Sequence, residues 1–143
     1  MSYREKVEWL YLIAFVVTYV PYFALAVLDP PAAGELPNLP QLGRFGATAV
    51  AQMLILAVGF AVLRLRTPAD DRGPADERDR EIERRSLRYA YFVLITGMIL
   101  VGVVMPFTEG GWQIVNAALF AIVVAELVQH GLAVRAYRRG WND

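Results

Sequence analysis

Residues 112–134 read WQIVNAALFAIVVAELVQHGLAV, an unbroken apolar run with one acid, Glu126, and the chain's single histidine, His130. Wound as an α-helix, about 20 such residues cross the ~30 Å hydrocarbon core of a bilayer. Three more stretches have the same character. No Lys, Arg, Asp or Glu occurs in residues 9–28, 45–63 or 89–108. These segments are apolar all round, whereas strands of a membrane barrel alternate over ~10 residues. The expectation is an all-α membrane protein: a four-transmembrane-helix bundle forming a single domain over residues 1–143. Its spans lie at about 9–28, 45–63, 89–105 and 112–134.

Composition agrees. Of 143 residues, 57% are hydrophobic, against roughly 45–50% apolar in a soluble domain, and mean hydropathy is +0.39. The charged residues, 20% of the chain, are sorted into blocks. That pattern excludes a soluble globular domain, a disordered chain and a nucleic-acid module. There is no cysteine, so disulfides, thiolate metal sites and dithiol redox chemistry are excluded. Net charge is zero, which implies no bulk electrostatic partner. Ala24-Leu25-Ala26 has the form of a signal-peptide cleavage site. The apolar stretch before it is longer than the usual ~7–15 residues, so the first span reads as a membrane helix.

Basic residues set the expected orientation. Arg4 and Lys6 precede the first span, eight arginines from Arg64 to Arg88 flank the link between the second and third, and Arg135, Arg138 and Arg139 close the fourth. Only Arg44, of 14 basic residues, falls on the opposite side. Both termini are therefore expected in the cytoplasm. Trp9, Tyr89 and Trp141 mark the inner boundary; Tyr22, Phe45 and Trp112 mark the outer one.

The links differ in kind. Residues 29–44 carry Pro30, Pro31, Pro37 and Pro40 with Gly34 and Gly43, which predicts a stiff extended strap or a lid over an outward pocket. Residues 106–111 form a tight turn. Between the second and third spans, residues 67–73 are polar and rich in breakers. Pro74 then opens a helix with Asp76 and Glu77 in its first turn, near the positive dipole end. One continuous helix over residues 75–105 is expected, residues 75–88 projecting into the cytosol. Asp76–Arg80 and Glu81–Arg85 are its i,i+4 ion pairs. The halves also resemble each other: Arg4-Glu5-Lys6-Val7-Glu8 matches Arg80-Glu81-Ile82-Glu83-Arg84, and Gly59-Phe60-Ala61-Val62 matches Gly131-Leu132-Ala133-Val134. Two repeated hairpins would be related by a pseudo-two-fold axis along the membrane normal.

An ionisable residue inside a span is a functional candidate by default. Glu126 and His130 share one face of the fourth span at i,i+4, with Asn116 within about 80° of them at 100° per residue. Ala117, Ala121 and Ala125 form a small-xxx-small packing seam on roughly the opposite side. Thr18, Gln52 and Thr96 lie near the midpoints of the other spans, so one polar layer could surround Glu126. An acid at that depth costs about 2.5–3.5 kcal/mol on insertion scales. Glu126 is therefore expected to face inward, either neutral or hydrogen-bonded to Gln52 or a threonine. Three readings compete for it: a structural link fixing bundle register, proton or cation handling, or binding the polar head of a lipophilic ligand. His130, nearer the inner interface, reads as a packing or snorkelling residue; one histidine per chain cannot alone supply a zinc or bis-histidine haem site, and only a homodimer could bring two.

Asp76-Glu77-Arg78-Asp79, then Ile82, Ser86 and Arg88 ahead of a span, with the closing Tyr137-Arg138-Arg139-Gly140, resembles small four-span prokaryotic membrane proteins of unknown function. In that group an acidic-basic segment leads into the third helix, and a glutamate in the last helix, here Glu126, precedes a YRRG-like terminus. The resemblance covers the second half of the chain. It implies the architecture and brings no activity with it.

No HExxH, GxSxG or P-loop motif is present. No catalytic residue, metal or cofactor is expected, and an enzyme is the weaker expectation. The leading function is a non-enzymatic membrane module that binds a partner or lipid. Its contact surface is Arg78, Arg80, Arg84 and Arg85 with Arg138 and Arg139. A small proton- or ion-coupled transporter using Glu126 is the alternative, and an intramembrane enzyme on a lipid or quinone-like substrate comes third. The expected partners are the bilayer, a cytosolic protein and a second copy of the chain, with no nucleic acid.

Overall fold

A computed structural model describes residues 1–30 and 38–139. Its helices are α1 (Tyr3–Leu28), α2 (Leu39–Arg66), α3 (Glu77–Ile99) and α4 (Gly111–Arg139). All four are long and apolar enough to cross a membrane, α3 together with its extension to Phe107. No strand occurs among the described residues. The architecture is an all-α four-helix membrane bundle. Trp141, Gly140, Pro31, Gly34 and Pro37 lie outside the described residues.

Each helix begins and ends for a local reason. Ser2 caps α1, its hydroxyl accepting from the Glu5 amide at 3.1 Å. Pro21 sits inside α1 on an exposed face, and the helix continues through it to Leu28. Asn38 caps α2 through the Gln41 amide, and Pro40 occupies the first turn, where no intrahelical N–H is needed. The strap expected over residues 29–44 is thus corrected in part: residues 39–44 are helix, because Asn38-Leu39-Pro40 is a helix-start signal. Arg44, the lone basic outlier, binds the Asp29 carboxylate at the end of α1.

The helix expected to open at Pro74 starts later. Asp76 and Asp79 form a reciprocal capping box, each carboxylate accepting from the other's amide at 2.7 and 3.2 Å. Asp76 is therefore a cap rather than the partner of Arg80. The far end of the third span is also irregular. Leu100–Val104 widen into a π-turn and Met105–Phe107 tighten into a 3₁₀ turn. Pro106 lacks the N–H that would continue the α ladder. The Thr108 and Glu109 amides then close on the Met105 carbonyl at 2.9 and 2.8 Å.

Packing sets α4 in the middle. It packs most extensively on α3 and next on α1, and α1 carries α2 on its other side. The α1–α4 contact has no counterpart of similar extent between α2 and α3, so the helix pairs do not obey one two-fold axis in their contacts. The interior is made of small and aromatic residues: Ala14, Ala90, Ala133 and Ala136 are buried beside Tyr19, Tyr22 and Val123. Bulky Val20, Met53, Val58, Phe92 and Phe107 face outward. This inversion suits a lipid surround, where apolar exposure costs nothing and close backbone approach drives association. Two glycines mark the closest approaches. A Cβ on Gly97 would come within 2.7 Å of the Ala121 Cβ, and one on Gly59 would clash with the Leu10 side chain.

Candidate functional site: a polar chamber between α1 and α4

The N-terminus of α1, the start of α3 and the end of α4 meet at the arginine-bearing end. Successive residues of α1 reach across in turn. Arg4 pairs with Asp79 of α3 at 2.9 Å, and the Tyr137 hydroxyl of α4 donates to the same carboxylate at 2.9 Å. Arg138 of α4 donates to Glu5 at 3.1 Å and lies over the Trp9 ring, 5.2 Å from its centroid. Three helices are thus tied by two acids, Asp79 and Glu5.

The deepest link is Glu8. Its carboxylate lies 2.6 Å from His130 Nδ1, and Glu126 stands 3.4 Å from Nε2 on the other side. The imidazole side chain is 7% exposed, Glu8 24% and Glu126 38%. A carboxylate thus faces each ring nitrogen. Tyr11 stacks flat on the ring, centroids 4.5 Å apart at 4°. That aromatic face and the two acids come from α1 and α4, which is why α4 is buried on this side.

A cavity of about 560 Å³ adjoins the cluster. Glu8, Tyr11, Phe60, Glu126 and His130 form its deep wall. Arg72 and Gly73 of the α2–α3 link line it as well. Beyond the cluster the core is apolar: Phe15, Leu127 and Val123 pack with Tyr19 and Tyr22. Two more polar pairs lie among and beyond these residues. Thr18 donates towards Gln52 Oε1 at 2.6 Å and the Ala14 carbonyl at 2.8 Å. The Tyr22 hydroxyl donates to Asn116 at 2.8 Å. The Gln52 amide nitrogen is buried without a partner among the described residues.

Several expectations are corrected by this geometry. Glu126 pairs with His130, not with Gln52 or a threonine, because Gln52 is engaged by Thr18 a layer away. Thr96 is exposed and belongs to no polar layer. Tyr22 is buried against Asn116, so it is a core residue and not an outer-boundary anchor. His130 is the centre of the cluster rather than a snorkelling side chain. The alanine seam lies against α3: Ala121 and Ala125 are buried, Ala117 half-buried, with Gly97 opposite Ala121. Of the expected contact arginines, Arg84 and Arg85 both bind Glu81 on their own helix, and Arg138 is held by Glu5. Arg78, Arg80 and Arg139 are exposed. Sequence reading missed Glu8 and Tyr11; their i,i+3 spacing at the mouth of an apolar span was the available signal.

The model of a family described as "Predicted membrane protein (DUF2178)" matches residues 38–141. The chain belongs to the DUF2178 family. The match begins just before α2, so it takes in Glu126, His130, Asp79 and Tyr137 and leaves out α1 with Glu8 and Tyr11. No curated protein and no solved structure matches the chain. Family membership supports a membrane protein of unknown function.

Proposed function

We propose that this DUF2178 protein is a non-enzymatic binding module of a prokaryotic cytoplasmic membrane, with both termini cytoplasmic. It admits a polar group of a partner or lipid into the chamber beside His130. The observation that carries this reading is the buried imidazole held between Glu8 and Glu126 at the edge of a 560 Å³ cavity. A ligand group that meets Glu126 competes with its long 3.4 Å contact to His130 and so reports occupancy to both helices. The apolar plug of Phe15, Val123 and Leu127 favours a one-ended chamber over a conduit. The outward apolar face of α2 offers a surface for a second copy, which the mass of the detergent-solubilised particle tests.

The second reading, proton-coupled transport, is favoured by one observation: Glu126 lines both the chamber and a groove on the other side of α4. Proteoliposomes loaded with a pH-sensitive dye separate the two. The binding reading expects proton flux no greater than in protein-free liposomes, for the wild type and for Glu126→Gln alike. Flux in the wild type that disappears in Glu126→Gln overturns it in favour of transport.

A further inference from the structure

A second cavity of about 400 Å³ lies between α3 and α4 on the side away from α1. It is mostly apolar. Leu87, Tyr91 and Leu94 of α3 form one wall and Ala125 of α4 the floor, where the alanine seam leaves no bulk to fill it. Arg84 and Arg88 stand at its arginine-bearing end, one helical turn apart on the same face of α3. Both are exposed. Arg84 binds Glu81 on its own helix, while Arg88 makes no ion pair among the described residues. The combination is specific. An apolar slot running along a membrane span is filled by an acyl chain whenever the span is in lipid. A surplus of guanidinium charge at its head selects a phosphate, to which arginine binds bidentately.

We propose that this groove is a binding site for an anionic glycerophospholipid. Its phosphate sits on Arg84 and Arg88, and one acyl chain lies along Leu87, Tyr91 and Leu94 over Ala125. The chain end of the groove reaches Glu126, so a bound lipid covers the lateral face of that carboxylate and leaves it open only to the chamber. The site stands whether or not the chamber binds anything, since none of its wall residues except Glu126 and Gln129 lines both cavities.

The test uses the full chain in detergent, with phosphatidylglycerol or phosphatidylcholine added and bound lipid counted by native mass spectrometry. Selective retention of phosphatidylglycerol is expected. Arg84→Gln with Arg88→Gln lowers that selectivity by between about fivefold and thirtyfold, from roughly fivefold per arginine near an anionic headgroup. Arg64→Gln with Arg66→Gln, which removes equal charge from the end of α2, leaves it unchanged. Ala125→Phe fills the slot, keeps both arginines and lowers retention of both lipids. Equal retention of the two lipids by the wild type overturns the proposal. So does equal loss in the two arginine pairs, which indicates diffuse attraction to a basic surface. Unchanged retention in Ala125→Phe also overturns it, because the chain is then not in the groove.

Discussion

Removing the Glu8 carboxylate should loosen α1 from α4 by an amount the geometry bounds. Glu8 and His130 are 2.6 Å apart, with side chains 24% and 7% exposed. A fully exposed pair contributes ~0–1 kcal/mol, and breaking a fully buried one costs about 3–5 kcal/mol. Glu8 borders a cavity and His130 is enclosed, so the loss falls between these limits. Glu8→Ala is expected to cost about 2–3 kcal/mol. Glu8→Gln keeps an acceptor for Nδ1–H but loses the charge, and should cost about 1 kcal/mol, the difference between a charged and a neutral hydrogen bond. The clean measure is a double-mutant cycle with His130→Ala, read by reversible denaturant unfolding in detergent micelles. A coupling of about 2 kcal/mol is expected for Glu8 with His130. Glu126 is farther at 3.4 Å and more exposed, so its coupling should stay below about 1 kcal/mol. If Glu8 and His130 couple by less than about 0.5 kcal/mol, the pair does not join the two helices and the reasoning fails.

Gly97→Ala should destabilise by about 1–3 kcal/mol through overpacking against Ala121, and Ala121→Gly in the same chain should restore most of it; Gly46→Ala, with open space around its Cβ, is the neutral control in the same unfolding assay. Thr18→Val strips the donor from Gln52 and should cost about 0.6–1.7 kcal/mol, whereas adding Gln52→Leu recovers stability because no buried polar atom is then left alone. Asp76→Ala should cost about 1 kcal/mol and speed amide exchange over the first turn of α3 without altering exchange in α4. Tyr137→Phe removes one hydrogen bond to a carboxylate, an expected loss of about 1.5–3 kcal/mol, and equal stability of the two proteins would mean that Arg4 and the Asp76 amide hold Asp79 without it.

The four spans were legible because bilayer thickness acts on composition alone: a charge-free block of the right length needs no knowledge of its neighbours. Helix starts were less legible. Pro40 was read as stiffening a strap, yet the three residues from Asn38 make a cap, and the same residue types serve both ends. At Pro106 the sequence marked the stop but not the π-turn before it, since how a helix releases its last carbonyls depends on its packing. The site divides the same way. Glu126 and His130 were visible as an i,i+4 pair on one face, a local relation. Glu8 was absorbed into a charged flank, because its partner lies on another helix and only the α1–α4 contact brings them together. Gln52 and Glu126 both sit deep in their spans, but equal depth does not imply contact, and Thr18 is the neighbour Gln52 has.

The account rests on a chamber open to one side of the membrane only, the side that carries the arginines. Because the chain has no cysteine, single cysteines report access without background. Val7→Cys and Gln129→Cys line the chamber outside the Glu8–His130–Glu126 cluster. A membrane-impermeant maleimide applied to sealed vesicles should label both from the face that labels Ser2→Cys and neither from the face that labels Thr108→Cys. Labelling of either chamber position from the Thr108 face, or of Ser2 and Thr108 from one and the same face, would contradict the account.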